Sequence, residues 1–334
     1  MFNVRFFFRK QLEGAYSVER LFEDIRNHLP LDIKNDKKMS IFPSTGILNR
    51  LYNIVHACLN QSDVNHITGE VHFLSYLMRK KITVLTILDC VMMEKLSGFK
   101  RMIFWIFWLW LPEKRSGYIT VISETTKIQL LKYLRCNPEK IRVLHCNVSP
   151  EFKKTPKEFG SPPRILQVGT FENKNLLRVI SALRGIDCKL VIIGKIGKKE
   201  IDALEKNSID FENHVNLKRE ELVQQYELSD ILIFASTYEG FGLPIVEANA
   251  VGRPVITSNL SAMPEVAADA ACLVDPYEVN SIRSGVLRVV EDSDYRERII
   301  SNGYKNAERF SVKVISEKYA SLYREVFLTS GGNV

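Results

Sequence analysis

Several features that mark particular classes of protein are missing from this chain of 334 residues. Its six cysteines include no CxxC pair and sit mostly in or beside apolar runs, which favours buried free thiols over disulfides or a metal site. The N-terminal residues lack the apolar core and the small-residue cleavage site of a secretory signal, so we expect a cytoplasmic protein. No low-complexity tract and no repeat of fixed period is visible.

Familiar catalytic motifs are missing too. The sequence has no GxxxxGK[ST] loop, no GxGxxG after a strand, no HExxH and no nucleophile elbow. It also has no nucleic-acid recognition motif, and basic and aromatic residues do not interleave along a strand, so we expect no nucleic acid partner. The positive charge is concentrated in residues 1–150, which hold 22 Lys and Arg against 13 Asp and Glu. Either this half has a solvated basic face, or it attracts an anionic partner such as a lipid surface.

One apolar segment stands out in the basic half. Residues 102–111, MIFWIFWLWL, contain all three tryptophans and have basic residues on both sides. Ten residues are too few to cross a bilayer, which requires about 20 in a helix. Two interpretations remain open: a buried helix of the first domain, or an interfacial helix with tryptophans at the level of the lipid headgroups.

Short apolar runs alternate with helical patterns along most of the chain, which predicts an α/β protein with parallel sheets covered on both faces. The length favours two domains. The predicted strands are 3–8, 63–68, 82–88, 118–123, 141–145, 164–169, 189–194, 214–217, 231–236, 254–259 and 271–275. We expect an N-terminal domain over 1–152, a Pro- and Lys-rich linker over 153–163, a second domain over 164–310, and a C-terminal helix within 311–334 that packs back on the first domain.

The most informative stretch is 236–259, where a strand, a glycine-containing loop and a helix follow one another. Gly240 and Gly242 would let the backbone approach a ligand closely, and the amides at the helix start would favour phosphate. Glu239 and Glu247 are eight residues apart, one on the loop and one a turn inside the helix. Both carboxylates could accept hydrogen bonds from sugar hydroxyls.

The string from Glu239 to Glu247, EGFGLPIVE, resembles the E-x7-E signature of glycosyltransferase family 4. The resemblance implies the GT-B architecture, in which two Rossmann-like domains with parallel sheets face a central cleft, and a retaining reaction. It implies that Glu239 holds the hexose and that Glu247 holds the ribose of the donor. Phe241 and Leu243, with the two neighbouring glycines, would complete the donor loop.

A second stretch, VGTFENKN from Val168 to Asn175, resembles the phosphate loop of the same family. The resemblance implies that Gly169 lets the loop approach the donor and that Lys174 contacts its diphosphate. Many members carry an arginine directly after the glycine, where this chain has Thr170. Lys195, after the next strand, is the candidate for the missing cation.

The first domain resembles the family less closely. Gly14 stands where the fold has a phosphate or acceptor loop, and Asp89 ends the TILD string that resembles the family's TIHD. His66, after another strand end, is a second candidate to orient the acceptor. Ser123 is expected to cap the helix that follows it.

The resemblance implies a retaining hexosyltransferase of the O-antigen or capsule type that uses GDP-mannose or a UDP-hexose. The acceptor would be a glycan, specifically a polyprenyl-linked oligosaccharide, at the cytoplasmic face of the inner membrane, with peripheral contact to anionic lipid. The sequence has no DxD pair at a strand end, so we expect no metal and no cofactor other than the nucleotide sugar as co-substrate. Two alternatives stay open: a catalytically silent sugar-nucleotide-binding subunit and a GT-B sugar-nucleotide epimerase.

Overall fold

The fold is α/β, as the alternation of strands and helices predicts. The computed structural model describes residues 1–10 and 17–332. Two compact units are present: the first runs to Asn147 and includes the last helix from Val312 onward, and the second comprises Val148–Ser311. Each unit contains a sheet of six strands, and every pair of neighbouring strands is parallel. Both units therefore have the Rossmann-like organisation that was expected.

In the first unit, the sheet has the order β2-β1-β3-β4-β5-β6. A π-helical segment, Trp105–Trp110, joins two of the helices. The elements are β1 (Phe2–Phe8), α1 (Ser17–Asn27), β2 (Ile33–Met39), α2 (Ile47–Leu59), β3 (Val64–Ile67), β4 (Thr83–Ile87), α3 (Val91–Lys95), α4 (Gly98–Phe104), α5 (Leu111–Arg115), β5 (Tyr118–Val121), α6 (Glu124–Tyr133) and β6 (Ile141–Val143).

In the second unit, the sheet has the order β12-β11-β10-β7-β8-β9. The elements are β7 (Arg164–Val168), α7 (Leu176–Leu183), β8 (Lys189–Ile193), α8 (Lys198–Lys206), β9 (Asp210–His214), α9 (Arg219–Leu228), β10 (Ile231–Phe234), α10 (Leu243–Val251), β11 (Val255–Ser258), α11 (Met263–Ala267), β12 (Ala271–Val274), α12 (Val279–Glu291) and α13 (Ser293–Arg309). The central strands are fully buried because helices cover both faces of the sheet.

The last helix, α14 (Val312–Thr329), is part of the first unit. Its aromatic face is buried there, since Tyr319 and Tyr323 are at most 1% exposed. At the surface, Arg324 of the helix forms a two-pronged ion pair with Asp32. The helix thus stabilises the first unit through both a core face and a charged edge.

The proline-rich segment predicted as a linker belongs to the second unit and has no regular secondary structure. Its backbone is bound along that unit: Thr155 donates from its amide to Val251 and accepts from the guanidinium of Arg253. Further on, the buried carboxylate of Asp230 accepts from the amides of Gly160 and Arg164, at 2.9 and 2.8 Å. These contacts fix the segment from Thr155 to the start of β7.

Two strand assignments differ from the sequence-based expectation. The strand predicted over 214–217 lies at Asp210–His214, because the polar sequence DFENH pairs along the edge of the sheet. The polar strand β2 was not predicted at all, since its sequence IKNDKKM lacks an apolar alternation. All six cysteines are free, as predicted, and Cys90, Cys146, Cys188 and Cys272 are buried.

Candidate functional site

In the sheet of the second unit, the strand order reverses between β7 and β10. From β7 the chain adds β8 and β9 on one side, and β10, β11 and β12 then extend the sheet on the other side of β7. Open parallel sheets bind ligands beyond the carboxyl ends of the strands at such a reversal. The two loops that leave this point are joined by a hydrogen bond of 2.8 Å from the amide of Thr237 to the carbonyl of Asn173.

The loop after β7 folds back so that the side chain of Lys174 lies over Gly169. A Cβ atom at Gly169 would come within 3.0–3.3 Å of three carbons of the lysine side chain, and the residue has φ of +88°. Both ends of the loop are held from below by the amide of Gln167, which donates to the carbonyls of Gly169 and Lys174 at 3.3 and 3.1 Å. Glycine is required here for both its conformation and its lack of a side chain.

The loop brings Lys174 to Glu239, 65 residues further along the chain. The ammonium of Lys174 lies 2.6 Å from Oε1 of Glu239, and these side chains are only 18% and 14% exposed. The same oxygen accepts from the amide of Asn173 at 3.3 Å. The ammonium also lies 4.6 Å from the centre of the Phe234 ring, a favourable position for a cation. Two of the predicted donor residues therefore form one partly buried ion pair.

The loop after β10 ends at Gly242, whose φ of +110° directs the chain into α10. A Cβ atom at this glycine would lie 3.0 Å from the Ile245 side chain. Pro244 stands in the first turn of the helix, where its missing N–H is tolerated. Ser261 fixes the backbone of Glu239, since its hydroxyl donates to the Glu239 carbonyl at 2.7 Å.

The residues between the first glutamate and α10 have different surroundings. Gly240 is half-buried and Leu243 begins the helix, as expected for a loop that presents its backbone. Phe241 is only 3% exposed and packs edge-on against Phe310 at 5.5 Å between ring centres. The side chain of Phe241 is therefore part of the core, and a contact of this residue with the donor stays a prediction that would involve its backbone.

Glu247, on the second turn of α10, belongs to a different group of contacts and is 8% exposed. The hydroxyl of Tyr226 donates to its Oε2 at 2.6 Å, and the guanidinium of Arg219 lies 3.5 Å from its Oε1. Arg219 also pairs with Glu151 at 2.6 Å and stacks over the ring of Phe152. Burial raises the pKa of Glu247, while Arg219 and Tyr226 oppose the shift by stabilising the charged form.

Arg219 and Tyr226 were not among the sequence-predicted site residues. They are seven residues apart on α9 and therefore lie on the same helical face. The spacing was visible in the sequence, but nothing there showed that this face is directed at Glu247.

Thr170 stands where many members of the family that the sequence resembles carry an arginine. It contacts the loop that follows β8. Its hydroxyl donates to the carbonyl of Lys195 at 2.7 Å, and a Cβ atom at Gly194 would lie 2.9 Å from its side chain. The side chain of Lys195 itself is exposed. The structure thus brings Lys195 to the same edge of the sheet, while its role as a second cation stays a prediction.

His66, the expected acceptor-orienting residue of the first unit, lies in the core. It is fully buried, and its ring nitrogens lie 2.6 Å from the hydroxyl of Tyr323 and 2.7 Å from that of Thr86. The edge of the Phe22 ring packs against it at 4.9 Å. Burial lowers the pKa of His66 to about 3. We correct the expectation accordingly: His66 joins α14 to the sheet and has no surface to offer a substrate.

The other first-unit candidates have separate outcomes. Asp89 is exposed just after β4, and its Oδ1 accepts from the amide of Val91 at 2.9 Å at the start of α3. Its proposed contact with an acceptor stays a prediction. Gly14 lies outside the described residues. Ser123 caps α6 as predicted, accepting from the amide of Thr126 at 3.1 Å.

The tryptophan segment is partly core and partly surface. Trp105 donates from its indole to the carbonyl of Tyr133 at 2.8 Å, and Trp108 lies under the guanidinium of Arg50 at 4.6 Å. In contrast, Phe107 and Trp110 are 44% and 39% exposed. The segment is therefore not wholly buried, and contact of its exposed residues with a membrane stays a prediction.

Further exposed apolar side chains lie on the helix that carries Arg50. Arg50 is on α2, whose outer face carries the exposed side chains Leu48, Leu51, Tyr52, Val55 and Leu59. On α4 and the π-helical segment, the exposed apolar residues are Phe99, Met102, Ile103, Phe107 and Trp110. We call these ten residues the apolar surface. Within the described residues, no helix combines the length and the apolar character needed to span a bilayer.

The second unit is similar to a known family of proteins. Residues 148–306 match the family model described as glycosyl transferases group 1. The chain is 35% identical over 105 residues to O-antigen chain mannosyltransferase B of Escherichia coli, covering 31% of this chain and 28% of that protein. It is 26% identical over 221 residues to an MMP alpha-(1->4)-mannosyltransferase of Mycolicibacterium hassiacum, covering 62% and 54%. This chain thus spans less than two thirds of either relative.

Solved structures are similar over nearly the whole chain. A glycosyltransferase from Rickettsia africae ESF-5 has a TM-score of 0.76 at 18% identity, with 97% of this chain and 98% of that chain covered. Anabaena HepE in complex with UDP and glucose has a TM-score of 0.77 at 15% identity, with 96% and 99% covered. At these identities the likeness establishes the GT-B fold. The second unit is thus similar to the glycosyl transferases of group 1, and the chain as a whole shares the fold of these solved glycosyltransferases.

Proposed function

We propose that the protein is a retaining, metal-independent hexosyltransferase that moves a mannose-like or glucose-like sugar from a nucleotide diphosphate to a glycan acceptor. The observation that carries the proposal is the contact between Lys174 and Glu239 at the reversal point of the second sheet. A cation for the diphosphate and a carboxylate for sugar hydroxyls stand side by side where parallel sheets bind ligands.

Breaking the anomeric bond passes through an oxocarbenium-like state while negative charge develops on the leaving diphosphate. Lys174 would stabilise that charge, together with backbone amides at the start of α10. Glu239 would accept from the hexose hydroxyls and so hold the ring while the acceptor hydroxyl attacks from the face that the phosphate leaves. The leaving phosphate can take the acceptor proton, so the reaction does not require a strong protein base.

Glu247 would hold the ribose. Each carboxylate oxygen has two lone pairs, and Tyr226 and Arg219 engage one oxygen each. Accepting capacity therefore remains for a vicinal diol. The fixed orientation of the carboxylate would lower the entropic cost of binding the nucleotide.

The nature of the donor and the acceptor is inferred from the relatives. The names of O-antigen chain mannosyltransferase B and of a capsular polysaccharide biosynthesis glycosyltransferase, CapM of Staphylococcus aureus, support a hexose donor and a polysaccharide product. We propose GDP-mannose or a UDP-hexose as the donor and a lipid-linked oligosaccharide as the acceptor. Such an acceptor would be met at the cytoplasmic face of the inner membrane.

The apolar surface supports peripheral contact with an anionic bilayer. On α4 the exposed cations Lys100 and Arg101 lie in sequence between the exposed Phe99 and Met102, and the exposed Lys95 precedes the helix. Each basic residue close to an anionic membrane contributes about 1 kcal/mol, and this share falls as salt screens it. Flotation with vesicles that contain phosphatidylglycerol tests the contact: the protein should float with them at low salt. Failure of the folded protein to float with anionic vesicles would refute the membrane proposal.

The enzymatic proposal is tested by incubating the protein with GDP-mannose, UDP-glucose or UDP-galactose and a lipid-extract acceptor, and measuring nucleotide release. Release that depends on the acceptor supports a transferase. Binding without release would support the silent subunit, and conversion of one nucleotide sugar into another without acceptor would support the epimerase. Glu247→Ala should weaken donor binding by about 1–3 kcal/mol, because charged hydrogen bonds are lost. The exposed Glu220, on α9, provides the matched control Glu220→Ala, which should bind as the wild type does.

A further inference from the structure

The ion pair between Lys174 and Glu239 has a consequence for which molecules the donor site accepts. Under the proposed function, the lysine binds the diphosphate and the glutamate binds the hexose, yet the two side chains bind each other at 2.6 Å. Three neighbours hold the arrangement: Gly169 below the lysine stem, the Phe234 ring beside the ammonium, and the amide of Asn173 on the carboxylate. The ion pair is therefore held in place by the two loops that follow β7 and β10.

A nucleoside diphosphate that approaches Lys174 must share this ammonium with Glu239. If the ion pair persists, two anions lie within a few ångströms of each other, with most of the carboxylate out of water. If the lysine turns to the phosphate, Glu239 is left as a largely buried carboxylate without its cation, which is also unfavourable. Either way, the bare diphosphate binds less tightly than the positive charge of Lys174 alone would allow.

A nucleotide sugar differs from the bare diphosphate in two respects. Esterification by the sugar removes one ionisable oxygen from the terminal phosphate, which reduces its negative charge. The hexose also brings hydroxyl donors that can replace the ammonium on the oxygens of Glu239. Lys174 can then turn to the diphosphate without leaving the carboxylate unpaired.

We propose that the Lys174–Glu239 ion pair makes the donor site selective for nucleotide sugars over nucleoside diphosphates, and thereby weakens inhibition by the nucleotide product. The inference rests on the proposed function and adds a specificity rule to it. Glu239 is then a specificity-determining residue as well as a sugar ligand. Its charge disfavours binding of the nucleoside diphosphate product, and its oxygens accept hydrogen bonds from the hexose of the substrate.

The decisive variant is Glu239→Gln, which keeps the size and an accepting oxygen but removes the charge. It should bind UDP or GDP about tenfold more tightly than the wild type, equivalent to about 1.4 kcal/mol. The corresponding nucleotide sugar should gain nothing, so the preference for the sugar-bearing form should fall by at least the same factor. Lys174→Gln should bind the nucleoside diphosphates more weakly than the wild type. Opposite changes in the two variants could not result from a loss of folding in both.

Glu172 offers a matched control, because it is an exposed glutamate on the same loop, two residues from Lys174. Glu172→Gln removes the same charge from the surface and should leave both affinities within about twofold of the wild type, as expected for a solvent-screened group. Calorimetric titrations of the three single variants and the wild type give all the affinities needed.

Two outcomes would overturn the inference, and they can be told apart. If the wild type binds nucleotide sugars but Glu239→Gln binds nucleoside diphosphates no more tightly, the selectivity rule is wrong and the donor-site assignment stands. If the wild type binds neither GDP nor UDP nor their sugars, the proposed function is wrong and the inference fails with it.

Discussion

His66 allows a test of the core of the first unit, because its burial determines both its structural role and the pH at which it binds a proton. The ring is fully buried and has Tyr323 and Thr86 at its two nitrogens. Burial lowers the pKa of His66 to about 3, against 6.5 for an ordinary histidine. The folded protein therefore keeps the ring neutral at pH values where the unfolded chain binds a proton.

The direction and size of the effect follow from this difference in proton uptake. Between pH 6.5 and about 3 the unfolded state holds more protons at this site, so acid favours unfolding and stability rises with pH. Each pKa unit corresponds to about 1.36 kcal/mol. A pH of 5 lies about 1.5 units below the pKa of the histidine in the unfolded chain. The free energy of unfolding of the first unit should therefore be about 2 kcal/mol lower at pH 5 than at pH 7.5.

Urea unfolding at pH 7.5 and 5.0 measures this loss for the wild type and for His66→Gln. All three tryptophans lie in the first unit, so their fluorescence reports its unfolding. The variant should be less stable at pH 7.5, since two buried hydrogen bonds are perturbed, but its loss between the two pH values should be smaller by about 2 kcal/mol. His28→Gln, at an exposed position, is the control for removing a histidine outside the core.

Equal pH dependence in the wild type and His66→Gln would refute the argument. A measurement of sugar transfer by His66→Gln distinguishes a core role of His66 from the acceptor-orienting role that the sequence suggested. A folded His66→Gln protein that transfers sugar at pH 7.5 as the wild type does agrees with the core role, whereas a stable but inactive variant would restore the acceptor role.

Three other changes test the second unit and the surface of the first. Tyr226→Phe should lower stability by about 1.5–3 kcal/mol, and more at pH 8 than at pH 5, because the ionised form of buried Glu247 loses its donor; urea unfolding at the two pH values checks this, and an equal loss at both would contradict it. Transfer activity should survive EDTA, because a lysine and helix-start amides take the place of a cation; Mg²⁺-reversible loss of activity would contradict it. Changing the exposed Phe107 and Trp110 together to serine should abolish vesicle flotation at an unchanged Tm, whereas Trp105→Ala should lower stability by about 3 kcal/mol; continued flotation of the double variant would locate membrane contact elsewhere.

The order of elements in the second unit could be predicted because its strands are buried on both faces. β10 consists of apolar residues only and β7 is rich in them, and helical patterns separate the two strands. Edge strands do not carry this signal. The polar strands β2 and β9 pair on one side only, so their sequences do not need an apolar run, and one was missed while the other was displaced by four residues.

The candidate site could be predicted only as separate segments. The loop glycines and the glutamates Glu239 and Glu247 are visible as motifs, since a positive φ or a close approach restricts the residue type. The partners of these glutamates are not visible. Nothing in the sequence pairs Glu239 with Lys174, or Glu247 with Arg219 and Tyr226, because these contacts depend on which strands and helices become neighbours.

The strand order explains why Lys174 and Glu239 meet. β8 and β9 are inserted in sequence between β7 and β10, but they extend the sheet on the far side of β7 and leave its other edge to β10. Had the strands been added in sequence order, the two loops would have stood three strand spacings apart, roughly 14 Å, and no ion pair could have formed. The reversal thus converts 65 residues of separation into a direct contact, and it does so at the carboxyl ends, where both loops leave the sheet. Since Thr170 supplies no charge, we expect the lysine of this pair to be the cation that meets the donor diphosphate, with the carboxylate of Glu239 as its competitor.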